Sequence, residues 1–134
     1  MKDIIKKALY IFLLAFAVIL ADQLAKHLIK NKIINYGAAF GLFQNATMLF
    51  IWAAVIVIGL VLFLYDKIPK KRADIQIYTG MILGGAVSNL IDRLAFGYVI
   101  DYIDLKVWPA FNIADAAVTI GMIGVIIYLL KKKK

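Results

Sequence analysis

Apolar residues dominate four stretches of the chain, at positions 8–29, 46–65, 75–94 and 113–130. Each is close to the roughly 20 residues that an α-helix needs to cross the hydrocarbon core of a bilayer. The segments between them are short and hold most of the charged residues. This pattern predicts a membrane all-α fold, a four-transmembrane-helix bundle forming a single domain over residues 1–134.

Basic residues are distributed unevenly over the two ends of the predicted bundle. Of the sixteen lysines and arginines, eleven lie at positions 2, 6, 7, 67, 70, 71, 72 and 131–134, which four crossings place on one side. Because cytoplasmic loops are enriched in Lys and Arg, both termini are predicted to be cytoplasmic. The net charge of +8 is then a topology signal, and we expect no nucleic-acid partner.

The amino-acid composition excludes several classes of protein and several kinds of site. Hydrophobic residues make up 64 % of the chain, too many for a soluble domain of this length to keep from water. There is no cysteine, so disulfides and thiolate metal sites are excluded, and the single histidine, His27, does not support a zinc site. We expect neither a metal nor another cofactor.

Two connections, at about 30–47 and 95–111, are predicted to lie outside the membrane. Positions 98–103 of the second are rich in β-branched and aromatic residues, which indicates a short extended piece. The bundle is therefore expected to carry a small extended platform on its outer face. Gly80 and Gly84, four apart in the third stretch, predict close packing against another helix.

Ionisable residues within the predicted helices need an explanation, because such groups are costly in lipid unless paired or hydrated. Asp22, Asp92 and Asp115 come from three different helices, yet the topology places all three at the outer leaflet. Asn89 and Asn112 precede two of them by three residues and so share their helix faces. The sequence thus predicts one polar site at the outer end of the bundle.

Each of these residues also has a purely structural interpretation. Asp22 and Lys26, four apart, are expected to form a helix-surface ion pair that braces the site. Asp92 and Arg93 are expected to form or join a buried ion-pair network, the interpretation that we favour for Asp92. Asp115 alone fits a first-turn acid favoured by the helix dipole, and Asn35 with Gly37 fits an ordinary turn.

The available side chains favour one kind of chemistry. Ser88 and Thr47 are the nearest hydroxyls, but no histidine is placed to activate them. Two carboxylates in an apolar site, by contrast, can share one proton and together activate a water. Asp115 is the natural first member, and Asp101 or Asp104 the second. Spacing alone does not choose between the last two.

Five stretches in order along the chain resemble the lipoprotein signal peptidases of bacteria, also called signal peptidase II. They read DQLAK at 22–26, NYGAAF at 35–40, GGAVSNLIDR at 84–93, VIDY at 99–102 and FNIAD at 111–115. The resemblance implies four membrane helices with a small platform outside, in agreement with the pattern above. The chain departs from the family at Ser88, where glycine is usual, and in its short connection between 101 and 112.

Carried over by position, the resemblance makes Asp101 and Asp115 the catalytic pair and Asp104 a lesser candidate. It implies substrate-binding or site-supporting roles for five residues: Asn35, Gly37, Asn89, Arg93 and Asn112. It places three more in a surrounding polar network: Asp22, Lys26 and Asp92. Gly37, Ala38 and Ala39 are expected to let an extended peptide approach the backbone closely.

The same resemblance implies a substrate and a place. A prolipoprotein whose cysteine carries diacylglycerol would be cut just before that cysteine, by a monomer in contact with membrane lipid. The enzyme would sit in the bacterial cytoplasmic membrane with its active site at the outer leaflet.

Two other functions compete with the peptidase. A small four-helix proton-coupled transporter or channel would also carry acids in its helices, although near the midplane rather than at one end. A non-enzymatic assembly subunit would use the polar residues to hold helices together, but it would give Asp101 no purpose.

Overall fold

The computed structural model describes residues 1–38 and 42–133, and four long helices account for most of them. Helix α1 covers Lys2–Leu28 and includes a π-helical turn at Leu9–Leu13. Helix α2 covers Thr47–Phe63, α3 Ala73–Phe96 and α4 Ile113–Lys132. A single 3₁₀ turn, Tyr65–Lys67, follows α2. The four predicted apolar stretches are therefore confirmed as helices, the first beginning six residues earlier than expected.

Helix α3 lies at the centre of the bundle and packs against the other three helices. Close approach depends on its glycines: an added Cβ at Gly80 would lie 2.7 Å from the carbonyl oxygen of Ile11, and one at Gly84 would lie 2.6 Å from that of Ala15. The predicted small-residue contact is thus confirmed, with α1 as its partner. On a different face of α3, Gly85 packs against the backbone of Ala114 in α4.

The connection between α1 and α2 and the connection between α3 and α4 pair as a short antiparallel ribbon. Strand β1, Ile33–Asn35, pairs with β2, Val99–Asp101, with Ile33 opposite Asp101 and Asn35 opposite Val99. An isolated bridge between Ile103 and Phe111 closes the loop that leads into α4. The expected extended platform is present, and it fixes where Asp101 points.

Within residues 1–38 and 42–133, two helices meet the length and apolarity needed to cross a membrane, Lys2–Leu28 and Ile113–Lys132. Helix α2 is apolar throughout but shorter, at 17 residues. Helix α3 carries its polar side chains inward: Gln76, Ser88, Asn89 and Asp92 are all buried. Large apolar side chains such as Phe16, Trp52 and Ile123 face outward, as expected of surfaces that contact lipid. A bundle in which all four helices cross remains a prediction.

Candidate active site

Asp101 ends strand β2 and turns its carboxyl group into the protein. Its residue surface is 1 % exposed. One carboxyl oxygen, Oδ2, accepts a 3.0 Å hydrogen bond from the side-chain amide of Asn35, and the other accepts one of 3.0 Å from Asn112. Asn35 is available because β1 and β2 pair in this register. The strand pairing therefore positions both the acid and one of its donors.

Asp115 lies in the first turn of α4 and is half-buried. Its Oδ1 accepts a 2.7 Å hydrogen bond from the Asn89 amide, and its Oδ2 accepts one of 3.2 Å from the backbone N–H of Asn112. The Asn112 side chain in turn accepts from the Asp115 N–H at 2.8 Å, which completes a capping box. Asp115 is thus a first-turn acid, as expected, and also part of the polar site.

Asn112 connects the two acids directly. Its side-chain amide donates to Asp101 Oδ1 while its amide oxygen and backbone N–H bond Asp115. Asn112 is fully buried and also donates to the Asn89 amide oxygen at 3.0 Å. The two carboxyl groups that the resemblance pairs are therefore bound to the same residue, Asp101 to its side-chain amide and Asp115 to its backbone N–H.

The carboxyl group of Asp101 is shifted toward its neutral form. Burial raises its pKa to about 7, the nearby charge of Asp115 adds to the rise, and the hydrogen bond from Asn35 opposes it. A carboxyl group in this condition can hold a proton near neutral pH and give it up during a reaction.

Lys26 lies behind the acids with its ammonium group fully engaged. It contacts Asp22 at 2.6 Å, Asp92 at 2.9 Å and the Asn89 amide oxygen at 3.1 Å. All three of its N–H donors are therefore used. The predicted Asp22–Lys26 pair is present but buried rather than on the helix surface, because α3 and the start of α4 cover that face of α1.

Asp92 joins a buried ion-pair network, as expected, and its cationic partner there is Lys26 rather than Arg93. Arg93 places its guanidinium 4.9 Å from the ring centre of Phe50 and makes no ion pair with the described residues. The physical reason is helical geometry: adjacent residues point about 100° apart, so Asp92 and Arg93 face different neighbours. Arg93 instead lines the groove described below.

Asp104 lies outside this cluster. It is exposed and accepts two hydrogen bonds from Lys106, whose ammonium contacts it at 2.6 Å. These bonds lower the pKa of Asp104 below its ordinary value. Of the two candidate second acids, the structure brings Asp101 and not Asp104 to Asp115.

Gly37 forms the predicted turn, and the backbone around it leaves no room for a side chain. Its N–H donates to the Asn35 side chain at 2.9 Å, and an added Cβ would lie 2.5 Å from the carbonyl oxygen of Leu42. Asn35 therefore serves the turn and Asp101 at once. Of the three small residues expected to admit a peptide, Ala38 lines the groove beside Gly37, and Ala39 lies outside the described residues.

Three side chains of the buried network were not predicted as site residues: Gln23, Ser88 and Tyr102. Gln23 donates to Asp92 at 2.9 Å and to Ser88, whose hydroxyl donates to Asp22 at 2.7 Å. Ser88 precedes Asp92 by four residues, so helical spacing could have found it. Tyr102 donates to Asp22 at 2.7 Å, and no sequence signal identifies that contact.

An open groove of about 770 Å³ leads away from the acids. Helices α2 and α4 form its walls and α3 its floor, with Asp115, Asn89 and Asn35 among its polar lining. The apolar part includes Phe50, Ala53, Ala54, Val57 and Ala116. Such a groove can accept an apolar segment lengthwise while presenting it to the carboxyl group of Asp115, behind which Asp101 is buried.

The fold of this chain was compared with solved structures. Two solved structures, each described as a bacterial membrane enzyme, match this chain with TM-scores of 0.77 and 0.76 and 28 % sequence identity. The first match covers 91 % of this chain and 88 % of the other, and the second 89 % and 91 %. The chain is therefore similar in fold to a membrane enzyme over nearly its whole length.

Sequence comparisons then give the family. The profile of Signal peptidase (SPase) II matches residues 14–131. A lipoprotein signal peptidase of Halothermothrix orenii is 38 % identical, over 92 % of this chain and 97 % of that protein. One of Moorella thermoacetica is 40 % identical, over 83 % and 86 %. The chain belongs to the signal peptidase II family and is a peptidase, so the transporter and assembly-subunit alternatives are wrong.

Proposed function

We propose that this chain removes signal peptides from lipid-modified prolipoproteins, using Asp101 and Asp115 as an aspartic pair that activates one water. One observation carries the proposal: a single buried residue, Asn112, donates to the Asp101 carboxyl through its side-chain amide and to the Asp115 carboxyl through its backbone N–H, beside an apolar groove that Asp115 lines. Two carboxyl groups sharing one proton supply an acid and a base without a metal.

The environment of the two acids suggests how the roles divide. Asp115 lies in the first turn of α4, where the helix dipole favours a negative charge, and is assigned as the base. Asp101 is buried with a pKa raised to about 7, and is assigned as the acid that carries the shared proton. Asn35, Asn89 and Asn112 hold both carboxyl groups through side-chain hydrogen bonds.

In the reaction, Asp115 takes a proton from the water while the water oxygen forms a bond to the scissile carbonyl carbon. Asp101 gives its proton to the carbonyl oxygen, forming a neutral gem-diol. Asp101 then takes a hydroxyl proton back while Asp115 gives its proton to the cysteine nitrogen, and the C–N bond breaks. The products are a carboxylic acid and a free amine, and the pair regains its single proton.

The groove supports an apolar, helical substrate. Its walls of Phe50, Ala53, Ala54 and Val57 offer an apolar surface of the kind that the hydrophobic segment of a signal peptide would cover. Arg93 and Gly37 lie at the polar end, where they would position the extended residues around the cleavage site. Because one chain supplies all of these residues, we propose that it acts as a monomer.

Charge distribution supports a topology for the enzyme. Ten of the fifteen basic residues that the structure describes lie at the end of the bundle opposite the acids. We propose that all four helices cross the bacterial cytoplasmic membrane, with both termini in the cytoplasm and Asp101 and Asp115 at the outer leaflet. A substrate anchored in that leaflet by its own lipid could then reach the groove sideways.

A paired-substrate assay tests the assigned substrate. Purified protein is given one precursor peptide in two forms, with and without diacylglycerol on the cysteine, in the same detergent. We expect cleavage before the cysteine of the lipidated form, with kcat/KM at least about 100-fold higher, a difference of roughly 2.7 kcal/mol in transition-state binding. Equal rates for the two forms would overturn the substrate assignment.

A further inference from the structure

The first three backbone N–H groups of helix α4 all have side-chain acceptors. Ile113 donates to the Tyr102 hydroxyl at 3.1 Å, Ala114 to Asp22 Oδ1 at 3.2 Å, and Asp115 to Asn112 at 2.8 Å. The start of a helix leaves such N–H groups without partners inside the helix itself. Two of the three acceptors here come from outside the helix and its cap, so other segments determine where this turn lies.

The two outside acceptors, Tyr102 and Asp22, are hydrogen-bonded to each other. The Tyr102 hydroxyl accepts from the backbone N–H of Ile113 and donates to Asp22 Oδ1, the same oxygen that accepts from the backbone N–H of Ala114. Burial raises the pKa of Tyr102 above its ordinary value, so the hydroxyl keeps the proton that it donates. Asp22 is itself fully buried and tied to Lys26 at 2.6 Å through its other oxygen. The tyrosine therefore joins the first turn of α4 to a buried, ion-paired part of α1.

The position of Tyr102 in the chain makes this link consequential. It directly follows Asp101, which ends β2, so the same short segment supplies one acid and the hydroxyl that holds the turn carrying the other. Neighbouring side chains in an extended segment point to opposite sides, so Asp101 and Tyr102 can serve different contacts at once.

We infer that Tyr102 is a positioning residue that sets the separation of Asp101 and Asp115 by anchoring the start of α4 to the end of β2. The inference rests on the proposed aspartic mechanism. Tyr102 acts through Asp22 and the α4 backbone, so it is expected to influence catalysis without binding substrate. Small displacements of a reacting group are enough to slow an enzyme by about 100-fold.

The test compares Tyr102→Phe with a matched control, Ser88→Ala. Both variants remove one hydroxyl that donates to Asp22 at 2.7 Å, but only Tyr102 also bonds α4. For a lipidated precursor we expect Tyr102→Phe to lower kcat about 10- to 100-fold with KM changed less than about twofold. Ser88→Ala is expected to keep kcat within about threefold of the unaltered protein.

The pH profile of kcat provides a readout that a general loss of stability would not move. When the two acids lie farther apart, each titrates with less influence from the other, so the acid and alkaline limbs approach each other. We expect this narrowing in Tyr102→Phe and not in Ser88→Ala. If Tyr102→Phe does not fold, 3-fluorotyrosine at 102 keeps the ring and hydroxyl while weakening the acceptor, and a smaller fall in kcat with the same narrowing is expected.

Asp115→Asn is measured in parallel to separate two failures. If Asp115→Asn is inactive while Tyr102→Phe keeps the unaltered kcat and pH profile, the inference about Tyr102 is overturned and the aspartic mechanism stands. Equal losses of kcat in Tyr102→Phe and Ser88→Ala, with unchanged pH limbs, would also overturn it. Full activity of Asp115→Asn would overturn the mechanism itself.

Discussion

Asn89 donates a 2.7 Å hydrogen bond from its side-chain amide to Asp115, which joins the central helix α3 to the first turn of α4. The oxygen of the same amide accepts from Lys26 at 3.1 Å. An amide that donates to an acid and accepts from a buried ammonium has its orientation fixed by both partners. The buried ion pairs of Lys26 therefore support the acid through Asn89.

Lys26→Met should strongly destabilise the protein. The substitution leaves Asp22 and Asp92, 0 % and 1 % exposed, without their shared cation, and uncompensated buried charges of this kind cost about 3–5 kcal/mol. The measurement is unfolding of the purified protein in detergent. Lys106→Met is the control, because its ion pair with Asp104 involves a lysine side chain that is 84 % exposed. Equal melting temperatures for the two variants would contradict the account.

Asn35→Ala should move the alkaline limb of the pH profile upward. Activity is expected to fall as the pH rises through about 7, where Asp101 loses the proton it needs as an acid. The hydrogen bond from Asn35 stabilises the ionised form of Asp101, so its removal raises the pKa further and preserves the acid to higher pH. We expect a shift of about one pH unit, equivalent to roughly 1.4 kcal/mol.

The pH dependence of kcat measures this effect, and Asn31→Ala is its control because Asn31 is exposed on the loop before β1. An alkaline limb that stays in place in Asn35→Ala, or moves to lower pH, would show that this hydrogen bond does not tune Asp101.

Gly85→Ala should impair both stability and activity. An added Cβ would meet the backbone carbonyl oxygen of Ala114, the residue directly before Asp115, so the first turn of α4 must shift. Overpacking of this kind costs about 1–3 kcal/mol. Thermal unfolding and kcat are measured together, with Gly59→Ala as the control, since a Cβ there has no neighbour within 4 Å. A Gly85→Ala protein as stable and active as Gly59→Ala would contradict the packing described.

Much of this arrangement could be predicted from the sequence because it depends on helix position and spacing. Topology alone brings Asp22, Asp92 and Asp115 to one end of the bundle. The interval of three residues places Asn112 beside Asp115, and the structure has that contact as a capping box. These contacts are local, or follow from which end of each helix faces outward.

The remaining contacts depend on how distant segments pair. Asp101 rather than Asp104 reaches the site because β2 pairs with β1, whose Asn35 lies 66 residues away. Spacing could not make that choice, and only the family resemblance did. The buried network around Asp92 was expected, but spacing could not identify its partner for a related reason: that partner is Lys26, on another helix and likewise 66 residues away.

The proposed activation of one water by Asp101 and Asp115 together is tested most directly by the cleavage of a lipidated precursor by three purified variants. Asp101→Asn and Asp115→Asn should each lower kcat at least about 100-fold while folding normally, because either change removes the acid or the base. Asp104→Asn, whose side chain faces Lys106, should keep most of the activity. Normal turnover by either Asp101→Asn or Asp115→Asn would contradict the claim.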